Sequence, residues 1–135
     1  MFLNVEHIGI AVKNLAQAEE LYSRLFNIVS YKRETVESES VSTSFFQINQ
    51  TKIELLESMD EEGVIAKFIE KKGEGFHHIA YEVDDIVAEM TRLKEEGFIL
   101  LNETPKRGAD NKLVCFLHPK TTNGLLIELC QEIRQ

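Results

Sequence analysis

This sequence lacks long apolar runs, an excess of positive charge and any cysteine motif. No apolar stretch approaches the roughly 18 residues of a transmembrane helix, so we expect no membrane span. Acidic residues outnumber basic ones by 23 to 15, and the formal net charge of −8 argues against a nucleic-acid-binding protein. Cys115 and Cys130 have neither metal-site nor CxxC spacing, which predicts reduced, buried thiols without a role. The N-terminus lacks the features of a signal peptide, which predicts a cytoplasmic location.

The first half of the sequence indicates one strand, one helix and three further strands. Residues 5–12 alternate with a period of two, which is typical of a strand with one apolar face. Asn14 is a residue type that caps helices, and apolar residues recur at helical spacing after it to about Asn27. The remaining elements predicted here are strands at 28–35, 41–48 and 52–57, and an amphipathic helix at 60–73.

The same order of elements then begins again. When His78 is aligned with His7, at an offset of 71 residues, the chain again shows a strand, a capped helix and a strand, with Asp84 or Asp85 as the cap. Strands at 113–118 and 124–130 complete the second copy. We predict an α+β fold of tandem βαβββ repeats around a shared metal-binding cleft. The predicted boundaries are a single domain over 1–135, repeat one at about 4–58, a connecting helix at about 60–73 and repeat two at about 75–131.

Each copy has a histidine near its beginning and a glutamate near its end. His7 and Glu54 are 47 residues apart, and their counterparts His78 and Glu128 are 50 residues apart. Both glutamates lie in an Ile-Glu-Leu string. A single histidine or glutamate in a strand is most often a structural or solvent-facing residue. The matched pairs instead favour a site of two histidines and two carboxylates, which suits Co, Ni, Mn, Fe or Zn.

The doubled histidine at positions 77 and 78 offers one ligand, because adjacent strand residues point to opposite faces. The repeat alignment selects His78 and directs His77 to the other face. Gly9 and Ala80 lie two residues beyond His7 and His78 on the same side, and these small residues leave room beside an ion.

One segment is basic although the chain as a whole has a net negative charge. Residues 102–123 contain four cations and only two anions. Such a cluster is either a solvated loop or a binding site for an anionic small molecule. The cations are Lys106, Arg107, Lys112 and Lys120.

The chain resembles the vicinal oxygen chelate superfamily and, within it, the methylmalonyl-CoA epimerase family. The similarity extends over nearly the whole chain, through EHIGIAVKNL (6–15), TKIELLE (51–57), GFHHIAYEVDDI (75–86), FLHPK (116–120) and GLLIEL (124–129). The resemblance implies a homodimer and one divalent ion per chain, with cobalt first and zinc, nickel or manganese as alternatives. The metal ligands that it implies are His7, Glu54, His78 and Glu128.

The resemblance also implies a reaction. An epimerase of this family interconverts (2R)- and (2S)-methylmalonyl-CoA by removing the proton α to the thioester, through a metal-stabilised enolate. Glu128 is the leading candidate for proton transfer and Glu54 is a candidate for the second group. In some epimerases a glutamate enters from the strand equivalent to 41–48, where this sequence has no acid and Thr43 lies near the expected position. Lys112 and Lys120 are the candidates for contact with the acyl-CoA substrate.

Two other functions stay open at this stage. Epimerases can carry glutamine where this sequence has Glu54, and a glutamate there is also seen in bacterial glyoxalase I, so a glyoxalase I-like lactoylglutathione lyase is the first alternative. The second is a non-catalytic small-molecule-binding protein of the same superfamily. The presence of both histidines and both glutamates counts against that second alternative.

Overall fold

The computed structural model describes residues 1–133, so the last two residues of the predicted domain, 134 and 135, lie outside the described residues. Within residues 1–133 the elements follow the order βαβββ, α, βαβββ, which confirms the predicted α+β fold class. The strands are β1 (Phe2–Ala11), β2 (Lys32–Val36), β3 (Val41–Ile48), β4 (Thr51–Ser58), β5 (Gly75–Val83), β6 (Lys106–Arg107), β7 (Lys112–Leu117) and β8 (Ile127–Glu132). The helices are α1 (Leu15–Phe26), α2 (Val64–Lys72) and α3 (Ile86–Glu95).

One compact unit combines Met1–His7 with the chain from His78 onward. Its strands lie in the order β1-β5-β8-β7-β6. Strand β8 pairs in parallel with β5 and antiparallel with β7. Successive residues of a strand point to opposite faces, so the two faces of this sheet carry different side chains. One of these faces packs against α3. The core on the α3 side consists of Val83, Ile86, Met90, Leu93, Cys115, Leu117 and Leu129.

The other compact unit comprises Ile8–His77. Its strands lie in the order β2-β3-β4-β1, and β3 pairs with β4 along its whole length, from Val41 opposite Ser58 to Ile48 opposite Thr51. Helix α1 covers one face of this sheet. The buried core there consists of Val12, Leu15, Ala18, Phe46 and Leu55. The domain and repeat boundaries predicted from the sequence stay predictions.

Three predicted strands differ from the observed ones, and the one expected at 124–130 begins only at Ile127. The strand expected at 28–35 begins only at Lys32, because α1 ends at Asn27 with a left-handed φ of 57° and the chain leaves the helix exposed, with Val29 78% accessible. After α3, Leu100 forms only an isolated bridge with Leu117, and the paired strand β6 comes later. Apolar residues at these two places therefore do not mark strand positions.

The three helices have 12, 9 and 10 residues, and within residues 1–133 none is long and apolar enough to cross a membrane.

The two repeats cap their first helix in the same way. Asn14 accepts a hydrogen bond from the backbone N–H of Gln17 at 3.0 Å, and Asp85 accepts one from Ala88 at 3.1 Å. The structure thus selects Asp85 rather than Asp84 as the cap of α3.

Replacing Asp85 by alanine should lower the free energy of unfolding by about 1 kcal/mol, because one N–H in the first turn of α3 loses its acceptor. Urea denaturation measures the change. Asp84→Ala is the matched control: Asp84 caps no helix, and its bond to the Met1 amine is a solvent-exposed ion pair, which contributes little. An equal loss in both variants would contradict the assignment of the cap.

Candidate metal centre

The two aligned histidines lie close together inside one compact unit. His7 is on β1 and His78 is on β5, and both residues are buried, with 6% and 4% exposure. Their Nε2 atoms are 3.1 Å apart, and the two rings meet edge to face with centroids 5.1 Å apart. The Nε2 atoms of both histidines therefore point at one position.

Glu128 on β8 supplies a third donor at the same position. The parallel register of β5 and β8 places Glu128 beside Ala80, two residues after His78 and on the same face. Its Oε1 lies 3.1 Å from Nε2 of His78 and 3.4 Å from Nε2 of His7. Three predicted ligands, His7, His78 and Glu128, thus converge, although they are far apart in the sequence.

The charge state of Glu128 follows from its surroundings. Burial by itself raises the pKa of this carboxyl, but the charge and hydrogen bond of His7 and the hydrogen bond of His78 outweigh burial and hold the pKa well below its usual range. The side chain is therefore an anionic carboxylate, which is the form that binds a cation or accepts a proton.

This donor set fits a divalent first-row transition ion. Such ions bind imidazole nitrogen and carboxylate oxygen, and donors at about 2.1 Å from one ion lie about 3.0–3.4 Å from each other at octahedral or tetrahedral angles. The separations in the cluster are 3.1, 3.1 and 3.4 Å. The residues have both the chemistry and the spacing that an ion requires.

Glu6 is a buried neighbour of the cluster that the sequence did not single out. Its side chain is 8% exposed, and its Oε1 lies 2.9 Å from Nδ1 of His7, on the opposite side of the ring from Nε2. A glutamate next to a histidine in a strand carries no visible signal, because the alternation of faces predicts that the two side chains diverge.

An apolar wall borders the cluster on the same face of the sheet. Ala80, Val114 and Cys130 are buried together, with Phe116 packed against them. The Phe116 ring lies edge to face with His78, at a centroid distance of 6.1 Å, and Phe116 is directly opposite Glu128 in the antiparallel register. The cluster of donors is therefore bordered by apolar side chains.

Both cysteines are buried, as predicted, and neither is part of a disulfide among the described residues. Burial raises the pKa of the Cys115 thiol to about 11, with a contribution from the charge of Glu128. Burial likewise raises the pKa of Cys130. Neither sulfur is a thiolate near neutral pH, so neither has the form that binds metal or acts as a nucleophile.

Glu54, the fourth predicted ligand, belongs to the unit formed by Ile8–His77. It lies within β4, is 3% exposed and is paired with Phe45 on β3. Thr43 lies on the same face of that strand, and its hydroxyl donates a hydrogen bond to the backbone carbonyl of Glu34 at 2.9 Å. A glutamate buried in the middle of a sheet is unusual unless it has a partner or a function.

The predicted lysines differ in their surroundings. Lys112 is 8% exposed and shares the face of β7 that carries Val114 and Phe116. Lys120 lies in an exposed turn after β7. The structure adds Lys106, which sequence reasoning did not select from its cluster: its ammonium lies over the Phe116 ring, 5.8 Å from the centroid.

His77 points away from the donors, as the alternation of the strand predicts. Its ring packs edge to face against Phe68 of α2, with centroids 4.8 Å apart. The aromatic contact gives His77 a structural position on the other face of β5.

The comparisons with known proteins agree with this geometry. Residues 6–116 match the family model described as the glyoxalase/bleomycin resistance protein/dioxygenase superfamily. An ethylmalonyl-CoA/methylmalonyl-CoA epimerase from Cereibacter sphaeroides is 41% identical over 97% of this chain and 99% of its own length. A mitochondrial methylmalonyl-CoA epimerase from Dictyostelium discoideum is 41% identical over 93% of this chain and 76% of its own length.

A solved structure is similar over its whole length. A variant of the Streptomyces coelicolor methylmalonyl-CoA epimerase, in complex with 2-nitronate-propionyl-CoA, superposes with a TM-score of 0.96 at 30% identity. The match covers 99% of this chain and 100% of that one. With a histidine of β1 meeting a histidine and a glutamate of the second βαβββ copy, and with the family model matched over residues 6–116, this chain belongs to the glyoxalase/bleomycin resistance protein/dioxygenase superfamily.

Proposed function

We propose that this protein is a methylmalonyl-CoA epimerase, an isomerase that interconverts (2R)- and (2S)-methylmalonyl-CoA. The observation that carries the proposal is the convergence of His7, His78 and Glu128 in a chain whose full-length relatives are named for this activity. The reaction needs a way to stabilise negative charge on the thioester oxygen, and it needs groups that move the α-proton. The cluster offers ligands for an ion that would stabilise the charge and a carboxylate that would accept the proton.

We propose that His7, His78 and Glu128 hold one divalent ion, with Glu54 as the fourth ligand. The support for Glu54 is its burial and its position, which matches that of Glu128 in the repeat. Cobalt is the first choice, and zinc, nickel or manganese are accepted by the same donors. When bound, the ion supplies Lewis acidity, which lowers the cost of negative charge on a coordinated carbonyl oxygen by several kcal/mol.

Proton transfer requires groups on the two sides of the α-carbon. Glu128 is ionised, buried and beside the apolar wall, so its carboxylate would accept the α-proton on one face of the α-carbon, and the second group would deliver a proton to the opposite face. We propose Glu54 for the other side, since β3 carries no acid and the hydroxyl of Thr43 is bonded to a backbone carbonyl.

We propose further that Lys112 and Lys120 contact the acyl-CoA substrate. Lys112 is the stronger candidate, because a buried ammonium is costly without an anion and none of the ion pairs formed among residues 1–133 involves it. A homodimer and a cytoplasmic location stay predictions.

Lys112→Met should raise KM for methylmalonyl-CoA by about tenfold or more, because a charge-assisted contact contributes about 1.5–3 kcal/mol. Steady-state kinetics with metal-loaded enzyme measures the change. Lys120→Met is the control, and we expect a change of less than about fivefold because that lysine is exposed. An unchanged KM in Lys112→Met would remove Lys112 from the substrate site.

The function is tested by offering the metal-loaded protein single epimers of methylmalonyl-CoA and, separately, the hemithioacetal of methylglyoxal and glutathione. We expect the opposite epimer to appear from either starting form, and no lactoylglutathione. Turnover of the hemithioacetal alone would assign the glyoxalase I-like activity. Tight ligand binding without turnover of either compound would assign a binding protein.

A further inference from the structure

The hydrogen bond between Glu6 and His7 joins two residues that are adjacent in the sequence and both buried. Oε1 of Glu6 lies 2.9 Å from Nδ1 of His7, and the two side chains are 8% and 7% exposed. A carboxylate in this place is expensive to bury, so a structural role alone would be served as well by a neutral residue of the same shape.

The bond decides which ring nitrogen of His7 carries the proton. An ionised carboxylate only accepts hydrogen bonds, so Nδ1 of His7 is the donor, and when the ring is a neutral imidazole, the form that binds an ion, its lone pair is on Nε2. Nε2 is the atom that lies 3.1 Å from Nε2 of His78 and 3.4 Å from Oε1 of Glu128. The contact with Glu6 therefore presents the ligand atom of His7 to the cluster.

We propose that Glu6 is a positioning residue for the metal centre: it holds His7 in the Nδ1–H tautomer, fixes the orientation of the ring and increases the basicity of Nε2. The inference rests on the proposed function, because it takes His7 as a ligand. A carboxylate that accepts a hydrogen bond from a metal-ligating histidine typically increases metal affinity by about 10–100-fold.

The second copy of the repeat has no glutamate at the position that corresponds to Glu6. The residue before the second histidine, at the position that Glu6 holds in the first copy, is His77, and its ring packs against Phe68. A histidine side chain cannot supply the negative charge that Glu6 supplies. The two copies of the repeat therefore differ at the position before the histidine.

The test measures the affinity of the purified protein for Co²⁺ by competition with a chelator. We expect Glu6→Gln to weaken Co²⁺ binding by about 10–100-fold, since glutamine keeps an acceptor oxygen but loses the charge. Glu6→Leu, which removes the acceptor as well, should weaken it further. His77→Gln is the matched control from the second repeat, and Glu82→Gln is the control for charge, because Glu82 is bonded to Asn4 at 2.9 Å instead of to a histidine. Both controls should stay within about twofold.

A second readout does not depend on the ion. Long-range ¹H–¹⁵N spectra of the metal-free protein report the tautomer of each histidine, and we expect His7 as Nδ1–H in the wild type and in Glu6→Gln. In Glu6→Leu the Nε2–H form should gain population. Wild-type affinity for Co²⁺ in Glu6→Gln, in a protein with an unchanged melting temperature, would overturn the proposal.

His7→Ala separates this inference from the proposed function. If His7→Ala abolishes tight Co²⁺ binding while Glu6→Gln leaves it intact, the role of Glu6 is wrong and the metal site stands. If His7→Ala itself binds Co²⁺ like the wild type, the metal site is wrong and the role of Glu6 fails with it.

Discussion

His78→Ala is expected to lose both tight metal binding and epimerisation, whereas His77→Ala keeps both. Loss of a direct ligand should weaken Co²⁺ binding by more than the roughly 100-fold that is typical of residues behind the ligands. Turnover should fall by at least about 100-fold, because Lewis-acid stabilisation is worth several kcal/mol and each 1.36 kcal/mol is a factor of ten in rate.

The physical reason for the contrast is the alternation of β5. His78 lies on the face that carries Ala80 and Glu128, while His77 lies on the other face against Phe68. The two substitutions remove the same type of side chain from adjacent positions. A difference between the variants therefore reports the face of β5 on which the histidine lies, and not the loss of a histidine as such. Metal analysis and the epimerisation assay are both made on each variant. If His78→Ala retained bound metal and activity, the assignment of the site would be wrong.

The second large effect is expected from Glu128→Gln. This substitution keeps the size of the side chain but removes its charge, and with it the ability to accept a proton. General acid–base groups contribute about 10²–10⁴-fold to rate, so with weakened metal binding we expect a loss of at least about 10³-fold. The melting temperature shows whether the variant stays folded.

Metal content separates the two parts of that loss. When the medium holds enough Co²⁺ to load the Glu128→Gln variant fully, the remaining deficit belongs to proton transfer. Glu132→Gln is the control, because Glu132 lies on the same face of β8, two positions beyond Cys130, and is exposed. Wild-type rates in metal-loaded Glu128→Gln would exclude Glu128 as a proton-transfer group.

Much of the fold and half of the site geometry could be predicted because the chain repeats itself. The alignment of His7 with His78 predicted the strands that carry both histidines, and the Ile-Glu-Leu string pointed to Glu128, which the structure brings to the two histidines. Alternation in β5 correctly separated His78 from His77. These placements follow from periodic patterns, which backbone geometry imposes on the sequence.

The rest depends on rotamers and on strands too short to show a period. Glu6 contacts His7 although the two residues are adjacent in a strand, and no spacing rule predicts such a contact between neighbours. Lys106 lies in β6, a strand of two residues inside a polar loop, so its place over Phe116 was not visible. Lys112 and Lys120 look alike in a basic segment, and only burial distinguishes them.

The most direct test of the central claim is deuterium incorporation at C2 of methylmalonyl-CoA in deuterated water. The wild-type protein is assayed as purified, after removal of metal by a chelator and after Co²⁺ is returned, with Glu128→Gln beside it. We predict exchange together with epimerisation in the metal-loaded protein, loss of both after chelation and recovery with Co²⁺. Exchange and epimerisation that are unaffected by chelation and by Glu128→Gln, or no exchange in the metal-loaded protein, would contradict the account.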